Sequence, residues 1–430
     1  MTEQVFRRTE ILLPKRQTDM EKWSVVACDQ FTSQRPYWDG LERLCAGVPS
    51  TLHLIFPEAY LNDRDQEETA ERLRRTMEKY LRDGVFEAYP DSYVLTERTL
   101  PGGGARYGIV GALDLEAYDY RPEAQTPVRA TEGTVESRLP PRVRIRRGAA
   151  LECPHVMVFL DDPALSVVRP LSRRRESLPL LYDFDLNAGG GHVRGWLVSG
   201  PEADALDAAL AAVAGEIPAD GQKPLPFAVG DGNHSLATAK LCWEELKQSL
   251  SPEQRETHPA RWSLVELVNI HDETIGFEPI HRGLLGTDPA AFLREARERF
   301  AERYRPGESV ESGSAAGEKT FSLLAVTPAG EERIETGAPS IGALIGRAVA
   351  FVQAYRSAHG GEVDYIHNDE TALALGRQTG CASLLLPAME KGELFPSVRA
   401  TGPFPRKSFS IGRAEDKRYY LECRRILPED

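Results

Sequence analysis

The chain reads as an α+β protein with mixed α/β character, and three observations carry that reading. Two pairs of alternating apolar segments flank glycine-rich turns, the pattern of antiparallel hairpins: residues 93–98 with 107–114 across Pro101-Gly102-Gly103-Gly104, and 180–186 with 193–198 across Gly189-Gly190-Gly191-His192. The third is Phe227-Ala228-Val229-Gly230-Asp231-Gly232-Asn233-His234-Ser235, an apolar run that meets a polar turn and passes at once into an Ala/Leu-rich segment. That spacing predicts a strand turning directly into a helix. Irregular interspersion of helices and strands elsewhere argues against a clean doubly wound parallel sheet.

In chain order, residues 23–27 predict a strand feeding the polar loop Asp29-Gln30-Phe31-Thr32-Ser33. Residues 63–83 predict a long charged helix with an apolar stripe through Leu73, Met77 and Leu81. The basic stretch 130–147, interrupted by Pro140-Pro141, reads as irregular, and 155–160 as a buried strand. Residues 202–217 predict an Ala-rich helix leading to the corner. Beyond it come a strand (262–269), a helix (290–304), an exposed Gly/Ser/Glu-rich loop (306–319), a strand (320–326), a helix (341–358), a buried strand (382–386) and a final strand (418–423). The triple glycine lacks a following Lys-Ser/Thr, so it is a turn rather than a phosphate loop. No repeat is visible. A length of 430 residues suggests two or three domains, divided as 1–200 (α+β with the basic loop), 201–305 (the core segment with the corner) and 306–430 (an α+β segment packing back on that core).

Composition is that of a soluble globular protein, with 41% hydrophobic and 27% charged residues. A net charge of −13 repels phosphate backbones and makes nucleic acid an unlikely partner. Basic residues do cluster, at Arg138, Arg142, Arg144, Arg146 and Arg147, and again at Arg173, Arg174 and Arg175. Such runs are either a solvated face or a cradle for a phosphorylated small molecule. Cys28, Cys45, Cys153, Cys242, Cys381 and Cys423 show no C-x-x-C spacing and read as reduced thiols of a cytoplasmic protein. The first 15 residues lack a leader pattern, and no run of about 18 apolar residues occurs, so no membrane association is expected.

The corner has its own chemistry. The first turn of a helix presents unpaired N–H groups and the positive end of its dipole, which together favour an anion. Gly232 permits a left-handed turn or a close backbone approach, and His234 adds an imidazole that accepts, donates or carries a proton. The competing reading is a helix capped by Asp231 or Ser235 with a satisfied histidine nearby.

With Asp231, Gly232, His234, Thr238 and Ala239 in place, the corner resembles the Asp-Gly-His-His-Arg-Tyr-Glu-Thr-Ala signature of the domain-of-unknown-function 1015 family. Thr131-Glu132-Gly133-Thr134 is similar to that family's His-Glu-x-Thr segment, and Pro279-Ile280-His281-Arg282 to its Pro-Thr-His-Arg. Phe404-Pro405-Arg406-Lys407-Ser408-Phe409 resembles its closing Met-Pro-x-Lys-Ser-Thr-Tyr. The resemblance spans nearly the whole chain. It implies a ParB/sulfiredoxin-like core, a superfamily that includes ATP-using sulfiredoxins, ParB nucleotide-binding domains and free-serine kinases. By that analogy the ligands are a nucleotide (ADP or ATP) with Mg²⁺ and a small hydroxy-amino acid such as serine or phosphoserine. A homodimer is an open possibility. Asn233 stands where the signature has its first histidine and Ser235 where it has arginine, so a phosphate clamp is missing at that position. Lys240 is too far along the helix to replace it, which leaves Arg282 or Lys407.

Phosphoryl transfer needs backbone donors and cations for the developing charge, a base for the hydroxyl proton, and usually a metal. The candidates are the Gly232, Asn233 and Ser235 backbone with His234 donating, Asp231 for Mg²⁺ or as a cap, and Glu132 as base with Asp29 as its competitor. Arg138, Arg142, Lys407 and Ser408 are candidates for anion contact, as are His281 and Arg282, whose alternative is a solvated strand end. His271-Asp272 and His367-Asn368-Asp369 lack the spacing of a metal site. No Gly-x-Ser-x-Gly elbow supports a hydrolase triad. The expected enzyme is a nucleotide-dependent phosphotransferase or a phosphatase-like enzyme acting on a small hydroxy-amino acid, and two non-catalytic readings remain beside it: a regulatory nucleotide-binding partner of serine metabolism and, less favoured by the charge, a ParB-like nucleic-acid module.

Overall fold

A computed structural model describes residues 4–215, 223–304, 321–412 and 416–428. Its frame is an 11-stranded mixed sheet whose central path runs Leu180–Asp185, His192–Val198, Phe86–Thr99, Ala105–Asp114, Trp262–Asn269, Met157–Leu160, Phe227–Asp231, Val128–Ala130 and Tyr118–Asp119. Both expected hairpins are present, with Thr99 opposite Ala105 and Asp185 opposite His192. A second, five-stranded antiparallel sheet has the order Gly330–Thr336, Phe321–Thr327, Cys381–Leu385, His281–Leu285 and Glu362–Ile366. The class is α+β. The loop expected at 306–319 lies outside the described residues.

Both faces of the large sheet are covered, and strand alternation divides the side chains between two cores. Val94, Val110 and Leu264 pack with Trp23, Trp38 and Tyr80 on one face. Tyr93, Leu95, Ile109 and Leu267 pack with Trp196 and Trp243 on the other. A third core fills the space under the small sheet, around Phe292, Phe351, Tyr355 and Phe404. No helix among the described residues is long and apolar enough to cross a membrane, and all six cysteines are free thiols.

Several elements differ from expectation for identifiable reasons. The stretch 130–147 contains the helix Leu139–Arg146, with proline in its first turn. There the missing N–H costs nothing, so Pro140-Pro141 starts the helix instead of breaking it. Residues 23–27 divide into a short helix, Met20–Trp23, capped by Asp19, and the two-residue strand Val25–Val26. The terminal segment is not one strand. Tyr419–Tyr420 pairs with Val25–Val26, Cys423 bridges Leu12, and Arg424–Arg425 pairs with Leu151–Glu152. The last described residues are thereby woven through the N-terminal half.

That weave is fastened by buried charge. Arg418 reaches Glu266 at 3.0 Å and Glu422 at 2.5 Å, with all three side chains at most 6% exposed. Thr96 and Tyr182 donate to the same two carboxylates. Gly108 makes room for the cluster, because a Cβ there would lie 2.3 Å from Glu266 Oε1. Removing one partner of such a set strands an uncompensated charge. Arg418→Met is therefore expected to cost about 3–5 kcal/mol, read as a lower urea midpoint at pH 7; an unchanged midpoint contradicts this account of the weave.

Candidate active site

The strand Phe227–Asp231 runs parallel to Val128–Ala130 on one side and antiparallel to Met157–Leu160 on the other. Because the first pairing is parallel, both chains leave the sheet at the same edge. Thr131 and Glu132 therefore emerge beside the corner, and the Thr131 hydroxyl ties the two by donating to the Val229 carbonyl at 2.6 Å. Gly232 takes the left-handed conformation (φ 77°), and a Cβ there would stand 3.0 Å from Val156 Cα. Only glycine meets both demands.

The helix that follows, Asn233–Leu246, has Gly232 at its cap position and no side chain capping it. Asp231 turns away, accepting from its neighbour's Gly232 N–H at 3.0 Å and facing Lys417 Nζ at 3.2 Å. The capping alternative for Asp231 and Ser235 is thus corrected. Leu236 N–H, bonded to the Gly232 carbonyl, belongs to the regular helical ladder. No side chain among the described residues covers the amides of Asn233, His234 and Ser235, and Asn233 Oδ1 is buried without a hydrogen-bond partner. Lys240, further along, is held by Leu115 and Glu244.

These groups open into a polar cavity of about 620 Å³. Of the candidate residues it gathers Asp29, Glu132, Arg138, Arg142, Lys407 and the whole corner from Asp231 to Ser235. Three candidates stand outside it. His281 is buried, with Nε2 on Asp369 at 2.7 Å and Nδ1 accepting from the Leu386 N–H at 3.1 Å. Arg282 is buried too and donates to the carbonyls of Ile280 and Lys407. The Ser408 hydroxyl is spent on the Pro405 carbonyl. All three sit behind the wall, where satisfied bonds and burial replace the anion contacts expected of them. Arg282 still matters to the site, because Lys407 is clamped on both sides of its peptide: its N–H donates to Glu132 Oε1 and its carbonyl accepts from Arg282. That clamp holds Lys407 at φ 60°, a conformation a lysine rarely adopts. Glu132 is fixed in turn by the bonds that join Thr131 and Gly133 to Phe404.

His155, Glu278, Arg406 and Lys417 also line the cavity. Arg406 lies inside a motif already singled out; the other three carry no local sequence signal, and tertiary contacts alone bring them in. The lining holds five carboxylates (Asp29, Glu58, Glu132, Asp231, Glu278) and five cations (Arg138, Arg142, Arg406, Lys407, Lys417). Arg142 is not wholly available, being paired with Glu58.

The electrostatics sort these groups by role. Burial, reinforced by Arg142, Arg138 and Arg406, pushes the His234 imidazole down to about 4. Its Nε2 accepts from the Val135 N–H at 3.2 Å, so the neutral ring carries its proton on Nδ1. His234 is therefore a neutral donor at physiological pH. Burial raises the Glu132 carboxyl above its ordinary value against the pull of Lys407 and Arg406. Burial acts on Asp29 in the same direction, but His155, Gln30 and Lys417 outweigh it and keep that carboxyl below its usual range. Two carboxyls of one cavity are thus driven apart, the arrangement that separates a proton acceptor from a permanent anion. Among the described residues no group of three His, Cys, Asp or Glu side chains could enclose a metal ion. A magnesium ion that arrives on phosphates needs only one or two protein carboxylates, and Asp231 is the one placed at the corner.

A depressed histidine pKa fixes the sign of a pH effect. Between about 6.5 and about 4 the unfolded chain protonates His234 while the folded one does not, so stability is complete above that window and falls as pH drops through it. NMR titration is expected to find His234 unprotonated down to roughly pH 4–5, and phosphate, by neutralising the surrounding arginines, is expected to move the midpoint upward. A midpoint near 6.5 without ligand contradicts the arrangement.

Comparison with known proteins gives a family and distant structural likenesses. A free serine kinase in complex with AMP is 9% identical over 72% of this chain and 90% of that one, with a TM-score of 0.36. A mutant of a free serine kinase in complex with ADP scores 0.38 at 8% identity over the same shares. A conserved hypothetical protein from Pyrococcus furiosus scores 0.33 at 10% identity, covering 74% of this chain and 94% of that one. Likenesses at these scores carry nothing about the reaction. No curated protein matches the sequence. The family model described as a protein of unknown function, DUF1015, matches residues 12–345, and the chain belongs to that family.

Proposed function

We propose that the chain is a nucleotide-dependent phosphotransferase acting on a small hydroxy-amino acid such as serine, with phosphoserine as the product or, in reverse, the substrate. One observation carries this reading: an uncapped helix N-terminus opens into a cavity that also holds Arg138, Arg406, Lys407 and Lys417. Amides and cations so arranged are complementary to phosphate oxygens, and more so as charge builds on a transferred phosphoryl group. The equal number of carboxylates suits a zwitterionic substrate, whose ammonium needs an anion such as Asp29 while its carboxylate needs a cation. The ParB/sulfiredoxin-like core implied by the corner motif belongs to the same proposal.

In this reading the terminal phosphate of ADP or ATP rests on the amides of Asn233, His234 and Ser235, with His234 Nδ1–H as a neutral donor. Glu132, raised toward neutrality, takes the substrate hydroxyl proton as the new P–O bond forms and the bond to the bridging phosphate oxygen breaks. Asp231 is the residue that would hold Mg²⁺ arriving on the phosphates, and the ion would supply charge neutralisation there. Lys417, now facing Asp231, compensates that carboxylate otherwise. A second reading, a nucleotide-binding regulator of serine metabolism without turnover, is favoured by one feature: Ser235 stands where the signature carries arginine.

ADP, ATP and phosphoserine are each expected to raise the thermal midpoint, by about 2.7 kcal/mol of stabilisation at a hundredfold excess over Kd. Glu132→Gln is expected to lower turnover about 10²–10⁴-fold with nucleotide binding retained, and His234→Ala to weaken nucleotide binding about tenfold. If no nucleotide shifts the midpoint and His234→Ala changes nothing, the proposal fails; binding without serine phosphorylation selects the regulator.

A further inference from the structure

Beside the polar cavity lies a second compartment of about 140 Å³, mostly apolar but lined also by the Arg146–Glu152 ion pair. Leu54, Phe56, Met77, Ile145 and Leu151 line it, drawn from the helices Gln66–Arg82 and Leu139–Arg146 and the segments around them. Cys28, Glu58, Arg142 and Ser235 line both compartments, so the two meet at these residues. Ser235 also supplies one of the three uncapped amides, so a group bound at the helix end lies beside this shared lining. Position 235 carries a hydroxymethyl group where the signature has a long guanidinium side chain, and Arg142 is drawn onto Glu58.

We infer that these shared residues form a doorway between the compartments, that the apolar one receives the non-polar part of the same ligand whose phosphate or phosphorylated hydroxyl sits at the corner, and that this part is an aromatic ring or branched aliphatic group of up to about six carbons. Size sets the limit: an apolar cavity of about 150 Å³ accommodates benzene and stays dry when empty. Chemistry sets the class: the charged groups in the lining, Arg142 with Glu58 and Arg146 with Glu152, are already paired, so a further charged or strongly polar group would surrender its hydration there for few partners. The inference rests on the phosphotransferase reading and extends its substrate class from serine to hydroxy-amino acids or alcohols that carry a phenyl-sized side group. Ser235 is then a specificity-determining residue, because its smallness joins the two compartments.

Calorimetric titration of the full chain with inorganic phosphate, methyl phosphate, phenyl phosphate and 1-naphthyl phosphate tests this. Phenyl phosphate is expected to bind about tenfold or more tighter than methyl phosphate, from burial of the ring, and the naphthyl compound is expected to lose that gain because it exceeds the compartment. Ile145→Trp, which fills the slot from a half-buried position, is expected to abolish the phenyl preference and leave methyl phosphate unchanged. Ser235→Arg is expected to abolish the preference by closing the doorway. Equal binding of methyl and phenyl phosphate, naphthyl binding as tight as phenyl, or a preference that survives in Ile145→Trp each overturns the inference. Should that variant not fold, the wild-type series decides alone. Failure of all four phosphates to bind overturns the corner reading as well.

Discussion

A helix that begins without a cap governs the site. Gly232 inserts a left-handed residue between the strand and the helix Asn233–Leu246, which removes Asp231 from capping range and leaves three amides facing a cavity. Exposed helix starts are usually closed by a Ser, Thr, Asp or Asn side chain at modest gain in stability. Here the sequence has an Asp next to the turn, yet it is turned toward Lys417. The donors remain available, and the surrounding side chains are organised around that vacancy of acceptors.

The organisation is tertiary and strung across the chain. Parallel pairing of Phe227–Asp231 with Val128–Ala130 delivers Glu132 to the corner. Bonds between Thr131, Gly133 and Phe404 bring in the segment that carries Arg406 and Lys407, and Arg282 braces that segment from behind. The left-handed Lys407 is the strained joint of this arrangement, tolerated because both sides of its peptide are satisfied. Elsewhere in the lining, the buried Arg418 cluster anchors the segment from which the preceding Lys417 reaches Asp231. Each wall thus rests on a buried polar contact; burial, reinforced by Arg142, Arg138 and Arg406, depresses His234, and burial raises Glu132.

Local determinants were legible in the sequence. The corner, both hairpins and the helix at 66–82 follow from glycines, apolar spacing and an Asp cap within a few residues. Ten candidate site residues meet in one cavity because the motifs that carry them occupy neighbouring strand ends. What escaped reading was set at a distance. His281 and Arg282 look like an exposed polar pair, but their strand is the second from the edge of the small sheet, flanked on both sides, so burial converts them into braces. Pro140-Pro141 looks like an interruption because a proline pair suits a helix start and a helix break equally well. Nothing near Lys417 or His155 marks them, since their partners come from other segments.

The family assignment leaves chemistry to the cavity, and in the proposed phosphotransferase anionic oxygens rest on the amides of Asn233 and Ser235 beside a neutral His234. The most direct measurement is a crystal structure of the chain grown with ADP. The account predicts terminal phosphate oxygens within hydrogen-bond distance of those two amides and of His234 Nδ1, with Lys407 or Arg406 alongside. ADP bound elsewhere, or a corner closed by side chains with no anion against the helix end, contradicts it.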